Sequence, residues 1–439
     1  MRDKILAIYA TAILLGLIVG VIGSFFQIGI NLLTNYLNRA ETLLGQGKWA
    51  LLLSIVSSMF LAGGAFLLMR KFAPEASGSG VQEIEGALLH QRTIYWRRLI
   101  PIKFLGGVMA IASKLVLGRE GPTIQIGGNL GDMFGDIFGF SSERRDALIA
   151  AGAAAGLAAA FNAPLAGVLF VLEEMRSQFN FSFINLKTVA IACMSATISL
   201  HFILGSGPDI EMPIFSLPSL ESLILFFFFG IIMGLIGLYF NKGLMFGLKI
   251  VDKMNFKQHL IYVLLVAALI GALAFYYPDT VGGGYNIIHQ ALTINSSLSF
   301  LLVVFLIRYC LSILSYSTTV PGGIFAPMLA LGTIIGTAFY TAVSPYIHDS
   351  SLYAGMFAVA GMGSLFAAAI RAPITGIILV VEITQNYSLI LPLMVSCLTS
   401  TTILQLAGNP PIYTQLLERT LRKAGRESVA KADLLSHKV

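Results

Sequence analysis

Charged residues are scarce in this sequence. Only 11% of the 439 residues are Asp, Glu, Lys or Arg and 56% are hydrophobic, whereas soluble domains carry roughly a quarter charged residues. This balance excludes an ordinary soluble domain and predicts an all-α polytopic membrane protein that lies in a lipid bilayer. The net charge of +6 is modest. Lysines and arginines in loops beside a membrane account for it, so it requires no nucleic-acid partner.

Cysteine and histidine are also scarce, and neither occurs in a pattern typical of chemistry. Cys193, Cys310 and Cys397 all lie in apolar segments, so we predict buried thiols and no disulfide framework. The six histidines have no metal-ligand spacing, and GxSxG, HExxH and P-loop motifs are missing. We therefore expect no metal site, no cofactor and no enzyme active site.

Long apolar runs recur along the chain, and several reach the roughly 20 residues that a spanning helix requires. The run at 5–33 continues too far for a signal peptide, so we interpret it as a retained first helix. Basic residues flank both ends of the chain, which predicts cytoplasmic termini. We place one transmembrane transport domain at 1–422 and a short basic cytoplasmic tail at 423–439.

The chain contains an internal repeat. Residues 151–174 match residues 360–383 at ten of 24 positions without a gap, and the matches include an Ala-Pro pair and two glycines. Glu173 falls opposite Glu382. Two apolar segments matched by chance would seldom share proline, glycine and glutamate in one register.

The segments before this match also correspond. Residues 78–80 correspond to 282–284, and residues 118–122 correspond to 323–327, in the same order and at nearly the same spacing. Two related halves in a membrane protein indicate a transporter or channel. We predict repeat one at about 30–204, a junction at 205–222 and repeat two at about 223–408.

Segments broken by glycine and proline predict where the substrate binds. A helix N-terminus offers unpaired N–H groups and about half a positive charge, and irregular backbone at membrane depth is tolerated only inside protein or along a cavity. We predict that the segments at 78–80, 118–122 and 322–327 bring three helix N-termini to a central anion site. Close helix packing is the alternative explanation of the glycines.

Glu120 is the unusual side chain of these segments. A carboxylate inside a bilayer is costly and usually functional. An ion pair with Arg119 or Lys103 is the structural alternative, but adjacent residues on a helix do not face each other. When deprotonated, the Glu120 carboxylate resembles an anion and could occupy the anion site; when protonated, it would leave. One side chain would then couple proton binding to anion passage.

These motifs resemble those of the CLC family of chloride channels and chloride/proton antiporters. The resemblance rests on GSGVQE at 78–83, GREGP at 118–122, GGIFAP at 322–327 and Tyr413 in NPPIYTQLL. It extends over essentially the whole chain, to about Arg422. It implies a mainly helical fold with an inverted two-fold repeat, and a homodimer with one pore per subunit.

The resemblance also implies roles for single residues. Glu120 would gate the anion path and carry protons, and Glu174 would transfer protons at the internal side. The chloride ligands would be the hydroxyl groups of Ser79 and Tyr413 and the backbone N–H groups of Ile324 and Phe325. The backbone of the anion site would come from Gly78, Gly80, Gly118, Arg119, Gly121 and Gly323. Apolar faces near Glu174 and residues 391–405 would form the dimer contact.

The implied function is a secondary active antiporter that exchanges chloride and similar anions for protons. A passive voltage- or pH-gated chloride channel is the alternative, but channel members of the family commonly lack the acid at Glu174.

Ser79 favours chloride and disfavours the fluoride branch, although Gln82 stands where the family usually has proline. The sequence shows no CBS pair after Tyr413, and this short form is typical of a bacterial inner-membrane protein.

Other charged residues have simpler explanations. Because Glu173 repeats as Glu382, we predict a structural role for it. Glu83 and Glu85 would either pair locally or help protons to reach Glu174, and the local role is favoured. Arg308 and Arg371 would satisfy carbonyl or acidic groups between helices. Lys103 would add positive potential along the anion path.

Overall fold

The structure, a computed structural model, describes residues 2–45, 47–176, 182–293, 297–346 and 351–425. Residues 426–439 of the predicted tail lie outside these ranges. Within them the chain forms seventeen α-helices and no β-strand, which confirms the all-α fold class. The helices are α1 (Arg2–Leu43), α2 (Lys48–Phe72), α3 (Val81–Leu88), α4 (Trp96–Ala112), α5 (Glu120–Ile137), α6 (Ser142–Phe161), α7 (Pro164–Glu173), α8 (Phe183–Leu204), α9 (Leu223–Val251), α10 (Phe256–Tyr276), α11 (Tyr285–Thr293), α12 (Leu298–Ser317), α13 (Phe325–Val343), α14 (Ala354–Ile370), α15 (Pro373–Thr384), α16 (Ile390–Leu406) and α17 (Ile412–Lys423).

Eight of the described helices are long and apolar enough to cross a membrane. Large apolar side chains also cover the outside of the protein; Phe60 and Phe202, for example, are 73% and 93% exposed. Such a surface is costly in water, but lipid tails are as apolar as these side chains. The chain is therefore a multi-pass membrane protein.

The cysteines show how a lipid environment changes a sequence-based prediction. Cys193 and Cys397 are buried free thiols, but Cys310 is exposed. The prediction that all three thiols are buried is therefore wrong for Cys310. An apolar sequence context does not distinguish a side chain packed inside the protein from one that faces lipid, because both surroundings are apolar.

The helix order repeats on either side of residues 205–222, which form no α-helix. Eight of the described helices, α1–α8, precede this segment, and eight more, α9–α16, follow it before α17. Equivalent pairs of helices in the two halves pack equally closely. A side chain at Gly127 on α5 would overlap the backbone of Gly152 on α6, and one at Gly332 on α13 would overlap the backbone of Gly361 on α14. The residue limits of the two repeats stay a prediction.

The glycine-rich loop of each half is bound by the other half. The N–H group of Gly78 donates to the carbonyl of Thr319 at 3.1 Å, and the N–H group of Gly282 donates to the carbonyl of Lys114 at 2.9 Å. Thr319 and Lys114 both have a left-handed φ, of 62° and 65°, which non-glycine residues seldom adopt. Lys114 and Thr319, which are equivalent in the two repeats, therefore share a left-handed backbone conformation. In each case the carbonyl group binds the glycine-rich loop of the other half.

A buried cation also holds each of these loops. The Nζ atom of Lys103, on α4, donates to the carbonyl oxygens of Ala76 and Gly78 at 2.9 and 2.7 Å. The guanidinium of Arg308, on α12, donates to three carbonyl oxygens of the loop at 279–282, each at 3.0 Å. Carbonyl dipoles thus partly compensate for the burial of both charges. The expected role of Arg308 is confirmed.

Two glutamates connect the halves at α7 and α15. Glu173, at the end of α7, accepts hydrogen bonds from the N–H groups of Ile374 and Thr375 at 3.0 and 2.6 Å. Glu382, on α15, accepts hydrogen bonds from two N–H groups at the start of α7 at 3.0 and 2.8 Å. Each carboxylate therefore satisfies orphan donors of the other helix. This reciprocal capping is the structural role that the repeat predicted for Glu173.

Replacing Glu382 with Gln removes the charge that faces the start of α7 and preserves the size of the side chain. Because a hydrogen bond to a charged group is worth about 1.5–3 kcal/mol, we expect Glu382→Gln to lower the unfolding temperature of the detergent-solubilised protein in a thermal scan. Glu173→Gln should have a similar effect, since its surroundings are equivalent.

The matched control is Glu211→Gln, which changes an exposed acid in the segment between α8 and α9, away from any helix N-terminus. We expect no change in its unfolding temperature. If Glu382→Gln and Glu173→Gln also unfold at the wild-type temperature, the reciprocal capping contributes nothing to stability.

Candidate functional site

The starts of α5 and α13 meet inside the protein. The N–H group of Gly118 donates to the carbonyl of Gly323 at 2.8 Å, and the N–H group of Gly323 donates to the carbonyl of Gly118 at 2.7 Å. The two segments run antiparallel across this pair, as an inverted repeat requires. These glycines occupy equivalent positions of the two repeats, so the first turns of both helices lie side by side.

The hydroxyl groups of Ser79 and Tyr413 meet beside these helix starts. Their oxygen atoms are 3.5 Å apart, and both side chains are fully buried. Ser79 lies two residues before α3, and a side chain at Gly121, on α5, would overlap it. The rings of Tyr413 and Phe325 lie 5.8 Å apart, centre to centre. The structure therefore brings together the starts of α3, α5 and α13, as the sequence predicted, and adds the start of α17.

Glu120 is the first residue of α5 and is fully buried. Neither oxygen of its carboxyl group has a hydrogen-bond partner in the described part of the chain. A side chain at Gly118 would overlap one of these oxygens, so the carboxyl group fills the space at the meeting point of α5 and α13. The predicted alternative, an ion pair with Arg119 or Lys103, does not form. A group shaped like a small anion thus occupies the space where helix N-termini face one another.

The side chain of Arg119 points away from the site, although its backbone precedes the first residue of α5. Its Nη2 atom donates to the Asp209 carboxylate at 2.6 Å, and its Nε atom donates to the carbonyl of Ala160 at 3.0 Å. The guanidinium also lies over the ring of Tyr285, 5.1 Å from its centre. Asp209 therefore neutralises the nearest arginine. Sequence reasoning missed Asp209, because no motif marks it within the junction.

A second missed residue is Tyr316, near the end of α12. The N–H group of Ser79 donates to its phenolic oxygen at 3.4 Å. Tyr316 is nearly fully buried and also packs against Gly78. It lies in an apolar run with no neighbouring motif, so only the three-dimensional structure reveals that it helps to hold the serine.

Two cavities approach the site from different directions. One, of about 950 Å³, reaches Gly118 and Arg119. The other, of about 680 Å³, reaches Ser77 and Gln82 and is lined by several basic side chains, Arg70, Lys71, Arg92, Arg98, Arg419 and Lys423. The buried hydroxyl groups and Glu120 therefore lie between two water-accessible spaces. A small ion that crossed between the two would pass these groups.

The remaining acids separate into two kinds. Glu83 pairs with Arg92 at 2.8 Å, which confirms its predicted local role. Glu85 is buried, and its side chain lies close enough to that of Glu174, at the end of α7, for the two carboxyl groups to interact. The local role favoured for Glu85 is therefore wrong: α3 turns this residue inward, whereas Glu83 faces the basic cavity. Among the described residues no cluster of three His, Cys, Asp or Glu side chains could hold a metal ion.

Two related halves, spanning helices and a buried site between two cavities define a membrane transport protein for a small ion. The family described as voltage gated chloride channel matches residues 59–405. The H(+)/Cl(-) exchange transporter ClcA of Citrobacter koseri is 43% identical over 439 residues, covering 98% of this chain and 92% of that protein. ClcA of Salmonella paratyphi B is 43% identical with the same coverage. The chain therefore belongs to the CLC family.

Solved structures agree with this assignment. A slow cyanobacterial Cl-/H+ antiporter superposes with a TM-score of 0.91 at 38% identity, covering 95% of this chain and 99% of that one. A eukaryotic CLC transporter gives a TM-score of 0.76 at 21% identity, covering 94% and 74% of the two chains. A CLC-type fluoride/proton antiporter gives 0.77 at 20% identity, covering 94% and 98%. The last two comparisons show the shared fold.

Proposed function

We propose that the protein is a secondary active antiporter that exchanges chloride and similar anions for protons. The observation that carries this proposal is the Glu120 carboxyl group, which lies unpartnered where α5 and α13 meet. Similar proteins are named H(+)/Cl(-) exchange transporters, and a similar solved structure is a Cl-/H+ antiporter. Both observations favour antiport over a passive channel. We propose that the protein is not an enzyme and that it requires no cofactor. Chloride would be bound as the transported substrate.

Chloride would bind to groups that carry no full positive charge. The hydroxyl groups of Ser79 and Tyr413 can donate to it, and so can the first N–H groups of α13, at Ile324 and Phe325, which have no partner within that helix. The two cations beside these segments are already engaged, since Arg119 is paired with an acid and Lys103 donates to two backbone carbonyl groups. Fixed dipoles thus attract the anion without holding it as tightly as an unpaired cation would. Such a site can release chloride as well as bind it.

Glu120 would couple the anion to the proton by competition for one space. In its charged form the carboxylate occupies the anion position at the helix starts. A proton removes that charge, so the neutral side chain loses its attraction to the helix N-termini and chloride can replace it. When chloride leaves in one direction, the side chain returns and releases its proton in the other. Ser79 favours chloride as the anion.

Glu174 would pass protons between Glu120 and one side of the membrane. Its carboxyl group lies close to that of Glu85, and two carboxyl groups that interact in this way can hold a shared proton. Arg371 lies close enough to act on Glu174 electrostatically. This acid pair is separate from the chloride ligands, so protons and chloride would follow different routes on this side.

A homodimer with one pore per subunit is the second part of the proposal. With 10 and 12 residues, α7 and α15 are too short to cross a bilayer core of roughly 30 Å. Their ends, with the partly exposed carboxylates of Glu173 and Glu382, would lie at membrane depth. A second copy that covers this face, together with α8 and residues 391–405, would shield those charges from lipid.

We place the protein in a bacterial inner membrane, with both termini cytoplasmic.

Reconstituted liposomes with a chloride gradient and no pH gradient test the exchange directly. We expect chloride to drive protons uphill, recorded by an external pH electrode, and an uncoupler to abolish the proton signal. Glu120→Gln keeps the size of the side chain but cannot take up the proton, so its proton movement should be lost while chloride still moves. Chloride flux without proton movement in the wild type would instead identify a passive channel.

The acid pair can be tested in the same liposomes. Glu174→Gln should abolish proton movement and retain chloride flux, and Glu85→Gln should slow proton movement, because each removes one carboxyl group from the pair. The matched control is Glu83→Gln, two residues from Glu85 on α3, which should leave proton movement unchanged. Normal coupling in Glu174→Gln would exclude Glu174 from the proton route.

The oligomeric state can be measured by native mass spectrometry of the detergent-solubilised protein. We expect a main species of twice the subunit mass of 47.2 kDa. A protein that stays monomeric at all detergent concentrations while it transports normally would contradict the dimer.

A further inference from the structure

The last described helix, α17, carries Tyr413 as its second residue and is attached to α9 at both ends. Before its start, the amide of Asn241 on α9 donates to the side-chain oxygen of Asn409 at 3.2 Å. Near its end, Arg419 donates to the carboxylate of Asp252, directly after α9, at 2.7 and 2.5 Å. Lys423 pairs with the same carboxylate. We call the second attachment the Asp252 clamp.

Only one face of α17 is buried. Leu416, Leu417 and Leu421 are covered by protein, and Leu417 packs against Gly86 on α3. The chain enters α17 through Gly408, which has a left-handed φ of 64°, and two prolines follow. Apolar burial is non-directional, so on its own it fixes the position of α17 along its axis less tightly than directional contacts do. The hydrogen bonds of the Asp252 clamp supply such a directional contact.

We propose that Asp252 is a positioning residue for chloride binding. By holding Arg419 and Lys423, it fixes α17 so that the Tyr413 hydroxyl stays beside the Ser79 hydroxyl at the anion site. Asp252 itself does not touch the anion, and its effect passes through Tyr413. The inference rests on the chloride site proposed above, but it does not depend on coupling to protons.

The charges support a permanent clamp. Burial on its own raises the pKa of Asp252, but hydrogen bonds and positive charges from Arg419 and Lys423 outweigh it and lower the pKa below its ordinary value. The clamp therefore stabilises the protein above the ordinary aspartate value of about 3.9. This stabilisation is lost only as the pH falls through the lowered pKa. The clamp thus stays closed across the pH range in which protons would be exchanged.

Asp252→Asn tests the proposal because its two possible effects have opposite signs. Asp252 lines the basic cavity, so removing its negative charge should by itself strengthen anion binding. Loss of the clamp should instead weaken chloride binding, by about tenfold if one hydrogen bond from Tyr413 to the anion is lost. We expect weaker binding, measured by isothermal titration calorimetry with chloride on the purified protein.

Glu83→Gln is the matched control, because it removes one negative charge from the same cavity without touching α17. It should not weaken chloride binding. Asp252→Glu keeps the carboxylate and should largely restore wild-type affinity. Arg419→Gln removes half of the clamp but also one positive charge from the cavity, so it should weaken binding by more than Lys71→Gln, which removes one such charge away from α17. This pair of variants covers the case in which Asp252→Asn folds poorly.

A double substitution shows whether the effect passes through Tyr413. In a Tyr413→Ala protein there is no tyrosine to position, so adding Asp252→Asn should cause no further loss of affinity. A further loss of equal size, or wild-type affinity in both Asp252→Asn and Arg419→Gln, would overturn the proposal. If the liposomes show chloride flux without protons while the calorimetry behaves as expected, antiport fails and the role of Asp252 stands.

Discussion

Two backbone hydrogen bonds between Gly118 and Gly323 determine where the functional groups of this protein meet. They join equivalent residues of the two halves, so the starts of α5 and α13 are held together wherever the rest of each half lies. Ser79 and Tyr413 are then placed against this pair by α3 and α17. In the proposed anion site the backbone of these helix starts supplies both the scaffold and the donors.

Neither half completes its own structure. The glycine loops at Gly78 and Gly282 are each bound by a carbonyl of the opposite half, and the starts of α7 and α15 are each capped by the other's glutamate. A half expressed alone would leave these polar groups unsatisfied at membrane depth, where each costs several kcal/mol. Mutual completion therefore makes folding and assembly of the site one event.

The repeated glycine and proline segments predicted the meeting of Ser79, Glu120 and Phe325, because broken helices at membrane depth must converge inside protein. The resemblance added Tyr413. Asp209 and Tyr316 could not be predicted, since each contacts the site only through folding of a distant segment. The partner of Glu85 and the exposure of Cys310 depend on which face of a helix turns toward protein, and an almost uniformly apolar sequence does not record that.

The side-by-side placement of α5 and α13 has a consequence for how a duplicated gene can become a transporter. Glu120 and Phe325 occupy equivalent positions of the two halves. If a glutamate stood at both positions, two carboxylates would face the same small space, repel each other and exclude the substrate. The uncharged ring of Phe325 in the second half leaves room for one competing charge. The two halves can therefore share a fold and still supply a single carboxylate, because they differ at this position.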